Sequence, residues 1–169
     1  MTHAKNKVDW CIKKAEKELQ KSNRHRGLIK TSPNKGKAND FIEKAEHNLN
    51  AAIEFEKGNY SDWSPIAFFY SMYHCLLAIS AKFGYESRNQ ECTLALIYNL
   101  IEDKKIDFNK RLLDDISMLG IPKDKERSIV DIREFYQYGT SLSIKKDVYK
   151  DLLKLAKEIL SKTKDLLEE

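Results

Sequence analysis

The chain is poor in the residues that build β-rich or stapled folds. Six glycines and three prolines in 169 residues are too few for a sandwich, a barrel or a collagen-like chain. Three cysteines, an odd number at unrelated spacings, argue against a disulfide framework. The N-terminal stretch MTHAKNKVDW lacks the apolar core of a secretory signal. Together these features read as a cytoplasmic protein in a reducing compartment. Missing too are a P-loop, a G-x-G-x-x-G turn, a G-x-S-x-G elbow and any zinc or EF-hand spacing. The four histidines, His3, His25, His47 and His74, fall in different segments. No metal and no cofactor is expected.

What is present is charge and helical periodicity. Charged residues make up 33% of the chain and hydrophobic ones 41%, the balance of a folded rather than a disordered chain. The net charge of +4 hides an asymmetry: residues 1–37 carry eleven Lys/Arg against three Asp/Glu, and the rest of the chain is net acidic. No acidic residue falls between Lys21 and Lys37. A polyanion should meet this region first.

Apolar spacing predicts a first helix over about 4–22, through Val8, Cys11, Ile12, Ala15 and Leu19. A basic loop follows over 22–37, broken by Gly27, Pro33 and Gly36 and long enough to be functional or mobile. The second helix is predicted at about 38–57. The third, about 63–83, takes Asp62 as its N-cap and Pro65 in its first turn. That helix is apolar nearly all the way round, with Lys82 its one formal charge. It reads as the centre of a bundle rather than a membrane span, because Tyr, Ser, His and Pro are scattered through it and no second such segment exists. Further helices are predicted over about 91–101, 108–119, 125–138 and 145–167, with Gly120-Ile121-Pro122 as a break. No strand is predicted. The fold class is all-α, an antiparallel helical bundle, with residues 1–37 as an N-terminal helix plus basic loop and 38–169 as the bundle proper.

Cys11, Cys75 and Cys92 all fall in helical patterns and read as small core residues, with a catalytic cysteine left as the alternative. Three features carry possible chemistry, each beside a plainer reading. The basic loop, with Arg24, Arg26 and Lys30 at its centre, is a solvated loop or a phosphate-contacting arm. Tyr70 and His74, four apart on the central helix, share a face; His74 is a hydrogen-bonded core histidine or a proton acceptor. Arg133, followed by Tyr136 and Tyr138, is an interhelical ion-pair partner or a bidentate phosphate ligand.

Three blocks in order, KAEHNLNAAIEFEKGNYSDW, AFFYSMYHCLLAISAKFGYESRNQECT and DIREFYQYGT, resemble the HEPN-domain family over roughly residues 38–145. The resemblance implies a helical bundle that commonly dimerises. It implies metal-independent RNase activity in many members, often as the toxin of a toxin–antitoxin pair with a small nucleotidyltransferase partner. The family's RNase signature is an Arg followed after four to six residues by a His. The Arg would stabilise charge on the reacting phosphate, and the His would move the ribose 2′-hydroxyl proton. Arg133 matches the Arg. Tyr138, Gly139 and Thr140 occupy the three positions open to the His, and tyrosine, with a reference pKa near 10, is a poor base at neutral pH. His74 or Tyr138 would have to replace it. The expectation is therefore RNA or nucleotide binding by Arg133, Tyr136 and Tyr138, assisted by Arg24, Arg26 and Lys30, with cleavage left open. The alternative is a non-catalytic module that docks a nucleotidyltransferase or another protein.

Overall fold

A computed structural model describes residues 2–116 and 129–168. Among these, seven α-helices and one two-stranded ribbon make up the regular structure: α1 (His3–Leu19), β1 (Leu28–Lys30), α2 (Lys35–Lys57), α3 (Ser64–Lys82), β2 (Tyr85–Ser87), α4 (Gln90–Glu102), α5 (Lys110–Ile116), α6 (Ile129–Tyr138) and α7 (Lys146–Glu168). The chain is all-α apart from the ribbon. The expected break at Gly120-Ile121-Pro122, the end of the fifth predicted helix and the start of the sixth lie outside the described residues. Contacts gather into two compact units, one of residues 1–41, 76–108 and 163–169, the other of 42–75 and 109–162.

In the first unit α1 begins on Thr2, whose hydroxyl accepts from the Lys5 N–H at 3.2 Å. Its buried face is Ala4, Val8, Cys11 and Ala15. These small side chains let α1 pack closely against α4, and there Cys11 and Cys92 are joined in a disulfide with their Cα atoms 5.8 Å apart. This corrects the expectation that no disulfide forms. Both cysteines are indeed core residues, but 81 positions separate them, so only the docking of α1 on α4 reveals the pairing. Cys75 is buried and outside the bond.

The segment expected to be one basic loop is also corrected. β1 pairs antiparallel with β2, placing Leu28 opposite Ser87, Ile29 opposite Glu86 and Lys30 opposite Tyr85, and α2 starts at Lys35 rather than 38. Two glycines make the ribbon possible. Gly84 has φ +74° and lies against the Thr31 carbonyl, which a side chain would strain and crowd. Gly27 passes so close to α1 that an added Cβ would sit 2.4 Å from the Cys11 carbonyl oxygen and 3.0 Å from Ala15. Those neighbours are backbone and a core alanine, neither able to swing away. Gly27→Ala is therefore expected to cost about 1–3 kcal/mol of stability, read as a lower denaturant midpoint at unchanged m-value.

In the second unit, α3 lies against α2 through two serines. Ser64 Oγ donates to the Ala52 carbonyl and Ser71 Oγ to the Ala45 carbonyl, each at 2.8 Å. Hydroxyls that spend their proton on a neighbouring helix carbonyl let α3 be buried without an unpaired polar group. A 3₁₀ turn, Ser61–Trp63, precedes α3. Asp62 falls inside that turn, so it is not the N-cap of α3 as expected. By length and composition Ser61–Lys82 could cross a membrane, yet 72% of its apolar window is buried inside the structure, as a core helix requires. Phe68, Phe69 and Met72 are fully buried, as are Leu113, Ile116 and Ile159 from α5 and α7.

Candidate functional site

α6 brings Arg133 onto α3. Its guanidinium carbon stands 4.5 Å from the centre of the Phe69 ring, and only 13% of the side chain is exposed. Phe69 is itself fixed: its ring stacks on Tyr73 (5.9 Å, 10°) and meets Tyr70 edge-on (5.2 Å, 76°). A planar cation on a buried ring gains roughly 2 kcal/mol and is held ready in one orientation. Arg133 Nη2 donates to Glu134 Oε1 at 3.1 Å. Its Nε is buried without a hydrogen-bond partner among the described residues. The Glu134 side chain is half exposed, a pairing that contributes little in water and that a phosphate can replace.

His74 meets the same rings, touching Tyr70 at 6.3 Å and Tyr73 at 6.4 Å between centroids. Its Nδ1 lies 2.6 Å from the Tyr70 carbonyl oxygen and 3.2 Å from Asn48 Nδ2. A carbonyl only accepts, so the 2.6 Å contact puts the proton on Nδ1 and the neutral ring's lone pair on Nε2, and the Asn48 amide is then a close neighbour of Nδ1 rather than a donor to it. Burial pushes the His74 pKa down; the Tyr70 carbonyl pulls it up and the Lys44 charge lowers it further. The site thus holds a neutral imidazole at pH 7, the form that accepts a proton. Stability follows from the same shift. The unfolded chain protonates this histidine near pH 6.5, whereas the folded ring refuses the proton until lower pH. The His74 contribution is therefore complete above about pH 6.5 and is lost as pH falls from there through the folded pKa. Urea unfolding at successive pH values should show this slope in wild type, and a smaller one in His74→Gln.

The other expected site residues fall into two groups. Tyr136 packs edge-on against Phe135 (5.1 Å, 87°), and Tyr138, at the end of α6, is 77% exposed. Both belong with Arg133 and His74 to the second unit. Arg24, Arg26 and Lys30 belong to the first and are exposed. Beside them His25 is buried, accepting at Nδ1 from the Gly27 N–H (3.3 Å) with Nε2 3.5 Å from Glu86. Partial burial acts to raise the Glu86 carboxyl, but the Arg88 hydrogen bond, the charges of Lys37 and Arg88, and His25 together hold it below the usual range. One cation of the basic region, Lys37, is thus committed to Glu86, together with Arg88 just after β2.

Phe69 as the seat of Arg133, Glu134 as its ion partner and Asn48 as a close neighbour of His74 were not anticipated. The i, i+4 pair Phe69/Tyr73 was the one available sequence signal. A cleft of about 830 Å³ in the second unit is lined by Glu56, Asn59, Ser61, Leu142, Lys146 and Tyr149 among others, and Arg133 is not on its wall. No group of three or more His, Cys, Asp or Glu residues fit to hold a metal occurs among the described residues.

A helical bundle in which a largely buried arginine on α6 is seated on the aromatic cluster of a buried central helix defines an all-α domain. The family model of the HEPN domain matches residues 38–166, about three-quarters of the chain. The protein belongs to the HEPN family. No curated protein matches it.

Proposed function

We propose that this HEPN protein binds RNA or a nucleotide through Arg133, acting as a homodimer in a toxin–antitoxin or defence setting. The observation that supports the reading is the Arg133 side chain: desolvated, oriented on Phe69 and with a buried Nε–H lacking a partner among the described residues. Such a group favours a bidentate phosphate. Tyr136 and Tyr138 flank it for stacking or hydrogen bonding. Cleavage is the further step, and it requires His74 to accept the 2′-hydroxyl proton, because Tyr138 is a solvent-exposed phenol and a weak base. A cytoplasmic site of action requires an interior that tolerates the Cys11–Cys92 bond.

The test uses one preparation of wild type and of Arg133→Ala, with EDTA present. Polarisation reads binding of labelled RNA and nucleotide, and product ends are analysed for 2′,3′-cyclic phosphate. Binding by wild type and loss in the variant is expected. Binding that survives the substitution sinks the assignment.

A second reading is favoured by a different observation. Phe135, Tyr138 and Leu142 are large apolar groups left exposed near α6, as are Tyr60 and Trp63 by the 3₁₀ turn. Apolar groups in such number suit a protein partner, in this setting a nucleotidyltransferase. Salt-insensitive copurification of a protein, with no RNA binding at any salt, would establish that reading instead.

A further inference from the structure

The family match begins at residue 38, so HEPN membership assigns nothing to α1. That helix carries Trp10 with 51% of its surface exposed. The positions that surround Trp10 on a helical surface are those three, four and seven residues away. They hold His3, Asn6, Lys7, Lys13, Lys14 and Lys17. None is acidic, although α1 also carries Asp9, Glu16 and Glu18. The carboxylates of the helix are thus kept off the Trp10 face. The Lys7 and Lys14 ammonium groups lie 4.6 and 5.3 Å from the indole centre, within cation–π range. Lys7 is also paired with Glu91 at 2.9 Å, which offsets its charge. Lys13 and Lys17 are exposed.

We propose that the α1 face centred on Trp10 binds single-stranded nucleic acid, stacking a base on the indole while Lys13, Lys14 and Lys17 contact the flanking phosphates. An exposed aromatic ring set among cations is how sequence-tolerant single-strand surfaces work, because every base has a π-face and every linkage a charge. A duplex, with its bases already stacked, gains nothing from the indole. An acidic peptide would use the lysines but has no base to lay on the ring. The strong positive charge of residues 1–37 supplies long-range attraction. This surface shares its polyanion with the Arg133 reading but none of its residues, so the two fail separately.

The experiment uses the full chain with Trp63→Phe, which leaves Trp10 as the sole tryptophan. Titration with a short single-stranded RNA should quench its fluorescence. The same RNA as a duplex, and poly-glutamate, should not. Trp10→Ala should weaken binding about tenfold, with Trp10→Phe recovering most of the loss. Lys13→Gln with Lys17→Gln should flatten the dependence of log affinity on log salt by about 0.7 per lysine. Circular dichroism and thermal melting should be unchanged in each variant, since these side chains lie at the surface. Absence of quenching, equal quenching by duplex or poly-glutamate, or equal loss in Trp10→Phe and Trp10→Ala overturns the proposal. Loss of binding in Arg133→Ala with none in Trp10→Ala also overturns it, and leaves the Arg133 reading standing. The converse result removes the Arg133 reading and leaves this one.

Discussion

Replacing Cys11 and Cys92 by serine should lower the free energy of unfolding by about 4 kcal/mol. The bond closes a loop across 81 positions, and a constraint of that length removes roughly this much chain entropy from the unfolded state. For a chain of this size the melting temperature should fall by about 10 °C. Wild type melted with and without a dithiol reductant should show the same difference. Both sulfurs are fully buried, so reduction of the folded protein should be slow and should follow transient opening of α1 from α4. Three thiols, rather than the single Cys75 thiol, found by alkylation of freshly denatured wild type, with no reductant-dependent change in melting, would show that the bond does not form.

Arg133→Ala should weaken RNA or nucleotide binding by at least tenfold, since a charge-assisted bidentate contact contributes about 1.5–3 kcal/mol. It should also lower stability by about 1–2 kcal/mol, because Phe69 loses the cation on its face. Arg133→Lys separates the two effects. Lysine restores the charge and the salt-dependent part of binding, but not the planar fork. An affinity for Arg133→Lys between those of wild type and alanine is therefore expected. If both variants melt early and neither loses affinity, Arg133 is a packing residue, and the exposed apolar groups around α6 become the functional surface.

Most of the helices were legible because they repeat their apolar residues at helical spacing over ten or more positions. The central helix announced itself by lacking charge before Lys82. Arg133 stood out through the motif around it. The ribbon was invisible because each strand has three residues, too few for an alternation to register beside Gly27 and Pro33. Phe69 under Arg133 joins residues 64 positions apart, and the disulfide joins positions still further apart. Both depend on which helix faces meet, which periodicity does not specify. Trp10 is inconspicuous for a related reason: a tryptophan among lysines reads in one dimension as an ordinary polar helix face. Only its exposure, with two ammonium groups over the ring, separates it from the core.

The ribbon also bears on how the protein is handled. A boundary drawn at the start of the family match would remove α1 and β1. It would leave Cys92 without its partner, uncover the side of α4 that the small residues of α1 fit, and turn β2 into an unpaired edge with free backbone donors and acceptors. Such an edge recruits a second copy of itself. A fragment of residues 38–169 should therefore self-associate or precipitate, and an oligomer measured on it would report the amputation rather than the native assembly.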